Sequence, residues 1–353
     1  MLTTLRWIVM LIVVAGLLAG AVVGLWLQRV SQPFKGYAGV EQFVDLLPGD
    51  GTLVITRKMV GAGVVRDRWT FRLALWRTGA ARRLKAGEYR FDRAMTPLDV
   101  VTKLARGDVY LRSVTFPEGL TVCEMSRIFE SRGLGSAADF VAAAKEHASL
   151  VHDIDPAARD LEGYLFPETY SLSRTAGAAE LVRTMVGRFH QVFTPELRAA
   201  AAGLGLTPRH AVTLASLVEK ETAKPEERPV VAGVYLRRVK MGMALQCDPT
   251  VIYALEMTHR YRGNLTHDNL LVDSPYNTYR YPGFPPGPIA APSRNSMEAV
   301  AYAEPVDYLY FVSRNDGSHV FARTLDEHNR NVHKYQVEYF RQKRAQSTPP
   351  RLP

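Results

Sequence analysis

Cysteine is scarce: Cys123 and Cys247 are the only two in 353 residues, too few for a disulfide framework and without the spacing of a metal site. Both are expected as small buried hydrophobes rather than as a bridge, and their scarcity permits an oxidising compartment without requiring one. Also missing are a Gly-x-Ser-x-Gly elbow, a Walker loop, a Rossmann fingerprint and a His-Glu-x-x-His pair, which removes the common serine-hydrolase, nucleotide and zinc-protease chemistries. His319 and His328 lack metal-ligand spacing, so no metal and no cofactor is expected. No internal repeat is visible.

What is present is an ordinary globular composition, 47% hydrophobic and 22% charged, long enough for two or three domains. The net charge of +9 suits work beside anionic surfaces such as phospholipid or acidic wall polymers. Apart from Arg82-Arg83 and the tail from Arg341 to Arg351, the basic residues are spread along the chain. With no nucleic-acid-binding motif beside them, nucleic acid is not expected as a partner.

The longest apolar run, Trp7 to Leu27, carries neither charge nor proline and as a helix would reach roughly 31 Å, enough to cross a bilayer core. Cleaved signal peptides have shorter apolar regions, of about 7–15 residues, so residues 1–34 are expected to be an uncleaved anchor and linker. Arg6 and Arg29 flank the run, and the positive-inside rule barely chooses an orientation.

Beyond the anchor the pattern is α+β. Residues 35–112 read as a small module: a strand at Leu53–Thr56, a helix over Asp67–Arg77, a strand within Lys85–Phe91, and a helix capped by Thr96-Pro97 and stopped by Gly107. Residues 113–345 form a larger region, and residues 346–353 a tail. In the larger region a helix follows Phe116-Pro-Glu-Gly119, and others cover Ala137–Glu146 and Ala178–Val192. Thr207-Pro208 caps a helix that runs to Thr222, and a further helix from about Glu226 ends at Gly242. Met243–Cys247 reads as a strand and Asp248-Pro249 as the cap of the next helix. Six prolines between Ser274 and Pro292 exclude a regular element there, and the tyrosines and Phe284 argue against disorder. Asn315-Asp-Gly317 marks a hairpin, and Thr324-Leu-Asp-Glu327 a capping box before the last helix.

A carboxylate set in an apolar helix keeps its proton to higher pH and can donate it near neutrality. Glu219 stands in such a helix, with Ser216, Ala215 and Val212 three, four and seven residues back. Glu221 has Val218, Leu217 and Leu214 at the same offsets, so periodicity leaves both acids open, and a surface carboxylate near a helix end is the bland alternative for each. Asp248 reads first as a cap. Glu162 and Glu168 flank an aromatic turn, where they either orient ligand hydroxyls or satisfy backbone amides. Tyr276, Tyr279, Tyr281 and Phe284 either stack on a ligand ring or pin their loop.

Several blocks in one order carry a family resemblance: Leu161-Glu-Gly-Tyr-Leu-Phe-Pro-Glu-Thr-Tyr170, Ala215-Ser-Leu-Val-Glu-Lys-Glu-Thr222, Leu245-Gln-Cys-Asp-Pro-Thr250, Ser274-Pro-Tyr-Asn-Thr-Tyr279, Pro285-Pro-Gly-Pro-Ile289, and Tyr308-Leu-Tyr-Phe-Val312 with His319 and Phe321. The chain resembles the YceG-like endolytic murein transglycosylases, bacterial inner-membrane proteins that cut nascent peptidoglycan. The resemblance implies a single-pass anchor, a LysM-like module over residues 35–112 and an extracytoplasmic catalytic domain over 113–345. It implies the first acid of its block, Glu219, as the catalytic group, first donating a proton to the bond between N-acetylmuramic acid and N-acetylglucosamine. The same group then acts as base, so that a 1,6-anhydro end forms. Glu162, Glu168, Gln246, Asp248, Thr250, Tyr276, Asn277, Thr278, Tyr279 and His319 become the expected glycan-binding set. Glycan strands, the inner membrane and peptidoglycan synthases become the expected partners. A two-carboxylate hydrolase would instead leave reducing ends, and a non-catalytic scaffold would bind wall material and release nothing.

Overall fold

The computed structural model describes residues 2–347, so most of the expected tail at 346–353 lies outside the described residues. The chain divides into two compact units, Met1–Arg112 with Ser171–Thr175, and Ser113–Tyr170 with Ala176–Pro353.

The first unit opens with helix α1, Leu2–Val30. Among the described residues no helix is long and apolar enough to cross a membrane. Then follow β1 (Gln42–Leu46), α2 (Thr52–Gly61), α3 (Arg68–Thr78), β2 (Gly87–Phe91) and α4 (Pro97–Arg106). The two strands pair antiparallel, with Val44 opposite Tyr89 and Leu46 opposite Gly87. Val44, Leu46, Ile55, Met59, Phe71, Tyr89, Phe91 and Leu104 build one core, and Val30 at the end of α1 joins it. Asp67 Oδ1 accepts from the Trp69 and Thr70 amides, and Thr96 Oγ1 from the Asp99 amide, which starts α3 and α4 where the sequence sets them.

One strand expected from the sequence is a helix. Leu53–Thr56 lies in α2, where Ile55 and Met59 are buried one turn apart while Leu53 is 70% exposed. A short β-branched run looks like a strand locally, but the burial period is helical. Gln42–Leu46 takes the strand position instead, its Val44 and Leu46 buried on either side of exposed Asp45.

β3 (Arg112–Thr115) and β4 (Thr169–Leu172) pair with each other, and Ser113 opens the second unit. Its helices are α5 (Val122–Ser131), α6 (Ala137–Glu146), α7 (Ala178–Val192), α8 (Pro195–Gly203), α9 (Pro208–Glu221), α10 (Arg228–Lys240), α11 (Asp248–Met257) and α12 (Arg294–Ala301). The hairpin β5 (Tyr310–Ser313) and β6 (His319–Ala322) follows, then α13 (Leu325–Val332), a π turn over His333–Glu338 and α14 (Tyr339–Ser347). Every residue of α9 from Ala211 to Val218 is buried. A helix apolar on all sides belongs in the middle of a domain, and α9 packs against α8, α10, α11 and α12.

Four further expectations are corrected. Met243–Cys247 is not a strand, because Gln246 sits at φ +50° and breaks the extended path. Asp248 does not cap: Cys247 occupies the N-cap position without a side-chain bond, and the Asp248 carboxylate accepts from Tyr279 instead. Cys123 is exposed on α5, so only Cys247 is a buried thiol. The box at Thr324 is half formed, since Glu327 reaches the amide of Arg323 rather than that of Thr324.

Candidate active site

Helix α9 ends with two acids, and the fold treats them differently. Glu219 points at α10 and the start of α12. Its Oε1 lies 3.1 Å from Arg228 Nη2, and its Oε2 accepts from the Ser293 amide at 2.8 Å and the Ser293 hydroxyl at 2.5 Å. Both charged side chains are nearly sealed, at 6% and 7% exposure. Glu219 is thus a tie between α9, α10 and α12, with both oxygens occupied.

Glu221, two residues on, faces a polar cavity of about 380 Å³ whose wall also includes Gln246, Asp248, Tyr279, Arg238 and His319. Glu219 is not among the lining residues. Tyr235 donates to Glu221 Oε1 at 2.7 Å. Burial pushes the Glu221 carboxyl above its ordinary value; hydrogen bonds from Tyr235 and the Cys247 thiol hold it back, and the negative charge of Asp248 adds to the rise. A shielded acid at a cavity wall, its proton held more tightly than in water, is the arrangement a general acid needs.

The rest of the wall is assembled from distant segments. Tyr279 donates to Asp248 Oδ1 at 2.5 Å, which joins the Ser274–Tyr279 block to the first turn of α11. Glu227 grips His319 twice, Oε1 accepting the backbone amide at 2.9 Å and Oε2 lying 2.7 Å from Nδ1. Its carboxyl would be raised by burial, but these bonds and one from Thr222 hold it below the usual range. A carboxylate at Nδ1 fixes that proton and leaves Nε2 as the ring's other face. Arg238 is 6% exposed and donates to the carbonyls of Leu309 and Leu245, so it brings a buried cation to the same wall.

Of the residues expected to grip glycan, Gln246, Asp248, Tyr279 and His319 meet at this cavity. Thr250, Asn277 and Thr278 do not; all three are fully buried. Thr278 Oγ1 bonds Thr250 Oγ1 at 2.9 Å and accepts the Cys247 amide, while Asn277 donates to the carbonyls of Leu270 and Val272. They hold the loop that carries Gln246 and Tyr279. Tyr276 packs its ring 4.9 Å from that of Tyr253, and partial burial pushes its hydroxyl up to about 12. Glu162 accepts the Val122 amide at the start of α5, and Glu168 forms an exposed pair with Arg188 at 2.6 Å. For Glu162 the backbone-amide alternative is the one observed. Sequence reasoning passed over Tyr235, Arg238 and Glu227. Arg238 and Glu227 read as ordinary surface charges on α10 and its approach, and only the packing of the 308–322 hairpin turns them inward.

The YceG-like family model matches residues 44–334. The endolytic murein transglycosylase of Bacillus subtilis (strain 168) is 27% identical over 310 residues, covering 83% of this chain and 84% of that protein. The protein of the same name from Streptococcus pneumoniae serotype 2 is 31% identical over 278 residues, 70% of this chain, which spans 50% of that relative's length. A crystal structure of a yceG-like protein from Listeria monocytogenes aligns with a TM-score of 0.57 at 29% identity, over 82% of this chain and 98% of that one. With most of its length matched in sequence and in fold, the chain belongs to the YceG-like family.

Proposed function

We propose that the chain is an endolytic murein transglycosylase that uses Glu221 as acid and then as base. The observation that carries this reading is a shielded Glu221 at the wall of a cavity shared with Gln246, Asp248, Tyr279 and His319. Protonated Glu221 donates to the glycosidic oxygen between N-acetylmuramic acid and N-acetylglucosamine as the C1–O bond breaks. The resulting carboxylate takes the proton of the muramyl 6-hydroxyl while that oxygen bonds C1, closing the 1,6-anhydro ring. The proton is returned to Glu221, so the cycle consumes no water and needs no second carboxylate. Tyr235 steadies one oxygen of Glu221, and Asp248 faces the positive charge that develops at C1.

The same reading places α1 in the inner membrane, with the catalytic unit on the extracytoplasmic side where nascent glycan and its synthases are. An uncharged run of bilayer length supports the anchor. The first unit serves as a LysM-like wall-binding module; its two antiparallel strands enclosing two helices support that role.

A two-carboxylate hydrolase is the second reading, favoured by Asp248 lying on the cavity wall beside Glu221. Mass spectrometry of products from purified glycan strands separates them. Anhydro ends with no reducing-end counterpart are expected, whereas reducing ends would establish hydrolysis.

A further inference from the structure

A second cavity, of about 630 Å³, lies at the other end of α11. Arg127, Lys145 and Arg262 stand on its wall, and none of the three makes an ion pair among the described residues. The acids beside them are committed or muted. Glu124 caps the Thr121 amide and Asp160 accepts the Glu162 amide. Burial pushes the Glu162 carboxyl up to about 8 against the hydrogen bonds it accepts, and burial also raises Glu256. Glu162 thus keeps its proton near neutral pH, and Glu124 and Asp160 are turned to backbone amides, which leaves Arg127, Lys145 and Arg262 open to an incoming carboxylate. Tyr253, together with Val122, Val141 and Met257, supplies ring and apolar surface. Guanidinium and ammonium groups without an ion pair, beside apolar surface, suit a ligand with several carboxylates on a short carbon frame.

Helix α11 gives the spacing. Asp248 lines the first cavity and Glu256 the second, and eight residues of helix are about 12 Å. Four extended peptide residues reach about 13 Å. A peptide attached to a sugar in the first cavity is thus long enough to place its carboxylates in the second.

We propose that this second cavity binds the carboxylate-bearing stem peptide of the muramyl residue whose glycosidic bond is cut at Glu221. The inference rests on the proposed murein substrate and adds that the enzyme reads peptide as well as sugar. Strands with intact stems are then the preferred substrate, and strands stripped of peptide a poor one.

The test is calorimetric titration of the tripeptide L-Ala-γ-D-Glu-meso-diaminopimelate into the full chain in detergent. Saturable binding is expected, weakened about tenfold for each cation removed in Arg127→Ala and Arg262→Ala, with Lys145→Ala as a further exposed site. Glu221→Gln is expected to bind as tightly as the unaltered chain. Absence of binding, or binding indifferent to loss of both arginines, overturns the proposal. A parallel assay compares KM on intact strands with KM on strands stripped by an amidase. The arginine variants should raise KM only on the intact strands; an equal rise on both also overturns it. Because titration needs no turnover, peptide binding without any anhydro product would refute the proposed reaction and leave this site standing.

Discussion

Two glutamates separated by one lysine have small or apolar neighbours at the same helical offsets, and the fold gives one a partner and the other a cavity. Arg228 and Ser293 reach Glu219 from α10 and α12, contacts that no local pattern around residue 219 announces. The family resemblance implied Glu219, whereas the proposed reaction uses Glu221. Removing one member of a sealed ion pair strands the other charge, so Glu219→Gln is expected to lower stability by roughly 3 kcal/mol, readable as a fall in the urea midpoint. Glu162 gives a pH signature. Its folded value of about 8 lies above the ordinary 4.5, so the folded state holds the proton more tightly. That stability is complete below 4.5 and is lost as pH rises toward and through 8. Glu162→Gln has no proton to lose, and its melting temperature should gain on that of the unaltered chain between pH 6 and 9. A constant difference across that range would show that the carboxyl is already ionised.

At the scale of elements, capped helices were legible and irregular segments were not. Thr96, Thr207 and Gly242 mark their ends as the sequence suggests, because a cap needs only its own neighbours. The 243–247 segment fails as a strand because its geometry is dictated from afar, with the Gln246 and Cys247 amides donating to the carbonyl and hydroxyl of Thr278. Gly163 shows why the aromatic block contains a glycine. At φ +80° its missing side chain leaves room for Pro288, and Gly163→Ala should cost about 2 kcal/mol by overpacking and backbone strain, measurable by chemical denaturation. The Glu227 to His319 link ties the start of α10 to the 308–322 hairpin. Loss of its charge in Glu227→Gln should reduce kcat about tenfold with little change in KM; a change in KM alone would make the link a substrate contact.

For the whole molecule, the α+β class was readable from the sequence, but the seams of its two compact units were not. The first unit recovers Ser171–Thr175 from far along the chain, and Val30, inside the expected anchor, is fully buried in that unit's core. A soluble fragment should therefore begin near Gln28. One beginning at Lys35 loses Val30 and the Phe34 bridge to Met95, and should melt several degrees lower in a thermal scan. The central claim concerns which acid moves the proton, and the most direct measurement is anhydromuropeptide release from purified glycan by Glu221→Gln and Glu219→Gln proteins at matched folded concentration. A loss of roughly 10²-fold or more is expected for Glu221→Gln, with Glu219→Gln retaining most of its activity; the reverse pattern would contradict the account.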